Sequence, residues 1–285
     1  EPRKEKIFAD LSVTPYLLMH TGDTITFEVD VAAINSATAF TWEHLWCAST
    51  GNQAIIRNNY TNNVAAGNFS IVAAVRSTAS GHYSWVGGGS GHSLTGNYSI
   101  IGGGAQNLGT GKFTFIGSGI YNTGQSDYSM ILNGAKNFSI QRFSTIINGY
   151  SSTTNGSYTT IVNGLKNYLN GDYSTILNGL NHRISGTLIY SSRNSILGGS
   201  QHQIENSHIS TIVNGVNNKI YNYVYNSAII GGGNNTIRLS SYSFIGQGNY
   251  NLIDSVNPYN SILNGISNVI RNGSYNIISN GLRNQ

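Results

Sequence analysis

Few side chains of this chain are equipped for chemistry, and their spacing keeps them apart. Beyond residue 50 the carboxylates are Asp127, Asp172, Glu205 and Asp254. General acid–base catalysis by a carboxylate pair needs both groups within a few ångströms of one substrate, and these four lie at least two repeats from one another. His92, His182 and His202 invite a metal reading, with the last two 20 residues apart. They fall, however, in a column otherwise filled by Asn and read as substitutes that hydrogen-bond in a chain corner. Gly87-Gly88-Gly89 and Gly231-Gly232-Gly233 lack the Lys-Ser/Thr and the following helix of a phosphate loop. A Ca²⁺-binding β-roll needs Asp in its Gly-rich turns, and these turns carry Asn or Gly. Cys47 is alone, which excludes a disulfide framework and a thiolate metal site. The Asn-x-Ser/Thr triplets, such as Asn97-Tyr98-Ser99, follow from an Asn- and Ser-rich composition. No catalytic residue, cofactor or metal is expected.

The elements that carry these residues repeat. An aromatic, a small hydroxyl residue and an apolar pair recur as Tyr83-Ser84-Trp85-Val86, Tyr98-Ser99-Ile100-Ile101, Phe113-Thr114-Phe115-Ile116 and onward through Tyr173-Ser174-Thr175-Ile176. The last apolar position advances by 15 to Ile176, then continues at Ile196, Ile212, Ile229, Ile245, Ile262 and Ile278; upstream, Ile56 and Val72 fit the column. A short fixed period means one unit stacked many times, because a single unit cannot bury its apolar face alone. Units of 15–17 residues are too short for a helical pair, so each reads as one coil of a parallel β-solenoid. About fifteen coils are expected, a prism roughly 70 Å long at the strand spacing. Gly-x-x-Asn-x-Ile/Leu, as in Gly164…Asn167…Leu169 and Gly215…Asn218…Ile220, announces a second strand after a corner. There Gly supplies positive φ or close approach, and Asn is expected to tolerate the left-handed conformation and to bond the turn backbone with its side chain.

Residues 1–50 do not share the repeat. Thr24–Val31 alternates apolar and polar residues as a half-buried strand does, and Trp42, Leu45 and Trp46 add apolar area. This segment reads as a small β-rich cap over the first open edge, or as an attachment module, with residues 51–285 forming the repeat domain. It holds seven acids against three Lys/Arg, a net −4; the remainder holds four against twelve, a net +8. The twelve cations are spread singly along the sequence, which argues for solvated rungs and against nucleic acid. No apolar run approaches the ~20 residues of a membrane helix.

Neighbouring strand residues point to opposite faces. With Ile131, Ile146, Ile161 and Ile176 inside, Leu132, Ile147, Val162 and Leu177 point outward. Where that outer site is Gly, as at Gly87, Gly102, Gly117 and Gly246, the residue two earlier is large: Trp85, Ile100, Phe115 and Phe244. Leu197, Val213, Ile230 and Leu263 continue the stripe. Soluble monomers rarely expose apolar patches beyond a few hundred Å², so this stripe is expected to be an interface between copies of the chain. The aromatic column, including Tyr98, Tyr128, Tyr158 and Tyr173, stacks rings at about 4.8 Å. It serves stability or, on a sharper reading, faces a cell-surface glycan.

Tyr98-Ser-Ile-Ile-Gly-Gly-Gly, Asn226-Ser-Ala-Ile-Ile-Gly-Gly-Gly-Asn-Asn-Thr-Ile and Tyr242-Ser-Phe-Ile-Gly-Gln-Gly resemble the head repeats of trimeric autotransporter adhesins and the related β-roll repeats of tailed-phage fibres. The resemblance covers residues 51–285 and implies a left-handed roll, a homotrimer, and display on a cell surface or virion for attachment. No heptad stalk, membrane barrel or fibre chaperone pattern accompanies it, and residues 1–50 match neither family. Gly232–Ile237 is also similar to the rolls of ice-recrystallisation inhibitors, although the Thr145, Thr160, Thr175 array breaks at Met130 and Ser195. Three functions follow: a non-enzymatic attachment fibre, a self-assembling extracellular filament, and ice binding as the third. The filament reading adds that Gly281–Gln285 stops before the next apolar residue. It expects that end to dock on the acidic N-terminal unit of another copy.

Overall fold

The computed structural model describes residues 46–57, 62–186 and 193–285, and these form strands, turns and bridges with no helix. The expected strand Thr24–Val31, with Trp42 and Leu45, lies outside the described residues. A first sheet of sixteen strands and a second of fourteen run the length of the repeats. Each coil gives one strand to the first sheet and one to the second, and successive coils pair in parallel: Ile116↔Ile131↔Ile146↔Ile161↔Ile176↔Ile196 in one sheet, Leu169↔Ile184↔Ile204↔Ile220 in the other. A third, narrow face is a line of single bridges, Leu165↔Leu180↔Ser200↔Val216 among them. The repeat region is therefore a parallel β-solenoid of about fourteen turns. Counting apolar pairs gives one more, because the pair Ile277–Ile278 has a first-sheet strand and no second-sheet strand after it. Trp46–Ala48 pairs antiparallel with Ile55–Arg57 and covers the outer edge of that strand.

The apolar core is one column thick in places. Ile101, Ile116, Ile131, Ile146, Ile161 and Ile176 are fully buried. Opposite them the second sheet supplies Leu94, then Gly109, Gly124, Ser139 and Thr154, and returns to Leu169, Ile184 and Ile204. At Gly109 an added Cβ would sit 2.6 Å from Leu94 Cδ1, and at Gly124 2.5 Å from Thr114 Cγ2, so those neighbours already fill the space. Interiors are close-packed, and these slim coils fill theirs with small residues.

Two polar columns are as buried as the isoleucines. The hydroxyl that follows the aromatic, such as Ser84, Ser99 or Thr159, turns back onto a corner carbonyl; Ser84 Oγ donates to Gly81 O at 2.6 Å. The Asn column links coil to coil. Asn235 Nδ2 donates to Gly231 O at 3.0 Å and Gly248 O at 2.8 Å, while Oδ1 accepts the Asn251 N–H at 3.0 Å. Buried polar groups are tolerated when paired, and here the stacking supplies the partner.

The corner glycines behave as their spacing requires. Gly215 has φ 108°, and an added Cβ would collide with the carbonyl of Gly232 one coil on. A departure from expectation lies beside them. The aromatics themselves occupy the left-handed region, from Tyr83 at φ 55° to Tyr173 at φ 54°, and so does the residue preceding each corner Asn, such as Lys136 at φ 56°. The corner Asn is not among the left-handed residues; it contributes through its side chain. Each non-Gly residue held there costs about 1 kcal/mol or more, and the ladder bond each makes offsets it: Tyr128 N–H donates to Lys112 O at 2.9 Å.

Replacing Asn235 by Ala leaves the buried Asn251 N–H without its partner and takes one of two donors from the Gly231 and Gly248 carbonyls. The expected loss is roughly 2 kcal/mol, read as a lower urea midpoint. Asn235→His, the residue used at 92, 182 and 202, is expected to lose clearly less. Equal losses in the two variants would show that the corner needs only bulk.

Candidate interface and ladder site

The outer stripe is placed as the alternation requires. Trp85 is 46% exposed, Leu132 and Leu177 37%, Ile230 38% and Leu263 46%. Ile100, Phe115, Ile147, Val162, Leu197, Val213 and Phe244 are half-buried on the same outer side, each beside a fully buried partner. The exchange of a large residue for Gly has a steric basis. A Cβ at Gly87 would lie 3.3 Å from Trp85 Cζ2, at Gly117 3.4 Å from Phe115 Cε1, and at Gly246 3.3 Å from Phe244 Cε1. In these coils the ring lies over the glycine, and a Cβ would collide first with the next coil's carbonyl, 2.6 Å away at Gly87, 2.5 Å at Gly117 and nearer still at Gly246.

A second apolar column escaped the sequence reading. The residue after each corner Gly (Ile120, Leu165, Leu180, Val216, Ile266) forms the third face and is exposed. Leu177 with Leu180, Val213 with Val216, and Leu263 with Ile266 therefore flank the same corner, and the stripe wraps around an edge instead of lying on one sheet. The signal was present as the x in Gly-x-x-Asn, masked because Ser200, Gly233 and Asn249 share that column.

The aromatic column forms a continuous stack from Phe69 through Tyr83, Tyr98, Phe113, Tyr128, Phe143 and Tyr158 to Tyr173, with centroids 4.7–5.3 Å apart and planes within 10°. Arg193 lies over Tyr173, and the stack resumes as Tyr242, Tyr259 and Tyr275. Tyr98, Tyr128, Tyr158 and Tyr173 are each about half exposed. Their ring faces cover one another, so the column presents edges and a row of hydroxyls, and a sugar ring would meet those instead of an open face.

The carboxylates have structural partners. Asp127 Oδ1 accepts the Lys112 N–H at 2.9 Å and Asp172 Oδ1 the Ser157 N–H at 2.7 Å, each capping the preceding coil. Asp254 pairs with Arg238 at 2.5 Å, and Glu205 accepts from Gln203 at 2.7 Å. The structure brings no two of the four together. The histidines sit in the Asn column as expected. His182 Nδ1 accepts the His202 N–H at 3.1 Å, His202 Nδ1 accepts the Asn218 N–H at 3.1 Å, and their rings stack at 5.0 Å. With Nδ1 accepting, Nε2 carries the proton; the adjoining corner carbonyls lend it weak support without reaching hydrogen-bond geometry. Among the described residues no cluster of three metal-ligating side chains occurs. No protein-family model matches the chain, and no curated protein matches it.

The stacked histidines make stability depend on pH. Burial pushes His182 down to about 4, and burial together with the neighbouring His182 pushes His202 down to about 4. Between pH 6.5 and about 4 the unfolded chain binds more protons than the folded one. Stability therefore falls as pH drops through that window, by about 1.4 kcal/mol per pH unit for each histidine. It is fully present above 6.5, and this slope ends below about 4. The double variant His182→Asn, His202→Asn is expected to flatten the dependence in urea melts between pH 7 and 4.5. An unchanged slope would assign it to other groups.

Proposed function

We propose that this chain is the repeat body of a trimeric, non-enzymatic fibre displayed outside a cell or on a virion, where it mediates attachment. The observation that carries the reading is the apolar stripe, which runs coil after coil along one edge of the solenoid. An exposed patch of that length marks an interaction site. Its two flanks meet at a corner, and a wedge packs each flank against a different neighbour. Such a heterologous contact closes as a ring, and three prisms with their wedges inward make the smallest one. The β-solenoid fold is compatible with a structural shaft or adhesin, and the partners of the four repeat carboxylates support a non-catalytic role. A glycan meeting the row of aromatic hydroxyls is the attachment chemistry this reading favours.

Replacing Leu132, Ile147, Val162 and Leu177 together by Asp is expected to convert the oligomer to monomers. The β-rich circular dichroism should persist, since the inward isoleucines are untouched. Analytical ultracentrifugation reads the outcome: a wild-type chain that sediments as a monomer at micromolar concentration overturns the trimer. Negative-stain images of finite rods would separate a fibre from an open filament.

A further inference from the structure

The sequence scatters its cations singly, but the fold gathers them. Lys136 and Lys166 occupy the left-handed corner that leads into the second sheet. Arg183 and Lys219 stand on the outer side of its strands, in the register Arg183↔Gln203↔Lys219. Arg238 and Arg271 follow two positions further along the strand, in the register Tyr221↔Arg238↔Asp254↔Arg271. Arg76 and Arg283 share the corner column, so against eight cations the same face holds only Glu205 and Asp254, a net of +6. The corner that bears the aromatic stack holds Lys112, Arg142 and Arg193 against Asp127 and Asp172, a net of +1. An open trough lined by Asn181, Arg183, Gln201, Gln203, Asn217 and Lys219 shows the corner and strand columns lying side by side. Two of the cations are steadied by rings: Lys136 Nζ lies 5.9 Å from the Tyr150 centroid and the Arg183 guanidinium 5.1 Å from that of Tyr168.

We propose that the outer face of the second sheet binds a linear acidic polysaccharide running along the solenoid axis. The inference rests on the attachment reading, names a ligand class for it, and places that ligand on this face instead of along the aromatic hydroxyls. Cations recur there at every coil or every second coil from Lys136 onward, roughly one per 5–10 Å of axis. A polysaccharide with an acidic group in each one- or two-sugar repeat spaces its charges comparably. A nucleic acid strand carries one every 3.4 Å, too dense for this row to neutralise. The amides of Asn181, Gln201, Gln203 and Asn217 add donors and acceptors suited to sugar hydroxyls, and Arg183 covers a face of Tyr168 on which a base would stack. Its corner column follows the stripe's second column by one residue, as Asn181 follows Leu180, whereas Arg183 and Lys219 stand further along, on the outer side of the second sheet.

The test compares two triple variants of equal charge change, K136Q/K166Q/R183Q on this face and K112Q/R142Q/R193Q at the aromatic corner. Binding to an immobilised sulfated glycosaminoglycan is measured over a salt series, with single-stranded DNA of equal charge in parallel. The first variant is expected to bind roughly tenfold more weakly and with a shallower salt dependence, while the second binds as wild type. Equal weakening in both variants, tighter binding of the DNA, or no saturable binding by the wild type overturns the proposal. Sedimentation of the same samples reads assembly separately, so a failed trimer and a failed binding face are told apart.

Discussion

Everything in this molecule answers to the spacing between neighbouring parallel strands. Each coil must offer its N–H and C=O groups to the next about 4.8 Å away, and with one coil per rung every side chain sits directly over its counterpart. Ile131, Ile146 and Ile161 pair in register, and so do Asn133, Asn148 and Asn163. Apolar columns gain from this stacking without adjustment. Polar columns gain only where the residue is both donor and acceptor, because the lower copy must satisfy the upper. Asn, Ser and Thr meet that condition, which explains a chain that is 9% charged yet not apolar. A buried Asn235 both donates to the Gly248 carbonyl and accepts the Asn251 N–H of the next coil; a buried carboxylate could not donate and would meet only its own charge.

That same rule decides how much was legible. The period, the two faces of each first strand and the glycine corners follow from composition at fixed spacing, since each is a one-residue signal repeated many times. The left-handed aromatics do not. Tyr98 or Phe143 at φ near 55° contradicts local preference, and what holds them is a backbone bond to the coil before, which no local pattern reveals. The second inner column was illegible for the opposite reason. Gly109, Gly124, Ser139 and Thr154 are core by position while being turn or surface residues by type. Charge was misread through linear distance: Arg183 and Lys219 are 36 residues apart along the chain and two rungs apart in space.

Coil length points to which side of the prism is under constraint. From the inward residue of the first sheet to that of the second, the chain takes eight residues in every coil from Val86 onward, as from Ile131 to Ser139, Ile176 to Ile184, Ile212 to Ile220 and Ile262 to Ile270; the two coils before it take nine, Ile56 to Ala65, and seven, Val72 to Ala79. The return is variable, with seven residues from Ser139 to Ile146, twelve from Ile184 to Ile196 and nine from Ile220 to Ile229. Longer returns coincide with isoleucine in the second inner column and with extra left-handed residues such as Asn222 and Leu239, so the added chain makes room for a thicker core. The constant arc carries the apolar stripe, the column after the corner glycines and the approach to the basic face. The variable arc carries the aromatic stack, which is broken between Tyr173 and Tyr242, where the lengths change.

A solenoid with no external demands would have no reason to confine its length changes to one side, because backbone pairing tolerates a bulge at any corner. Leu177 shows what the confinement preserves: although the next coil is twenty residues long, Leu177 N–H still donates to Ile196 O at 2.9 Å and Leu197 continues the stripe. An interface that runs the length of the rod fails wherever one coil steps out of line, whereas a ladder of stacked rings loses only a local contact. Holding the arc of the stripe to a fixed length while the opposite corner varies is the arrangement that the proposed lengthwise contact between copies requires.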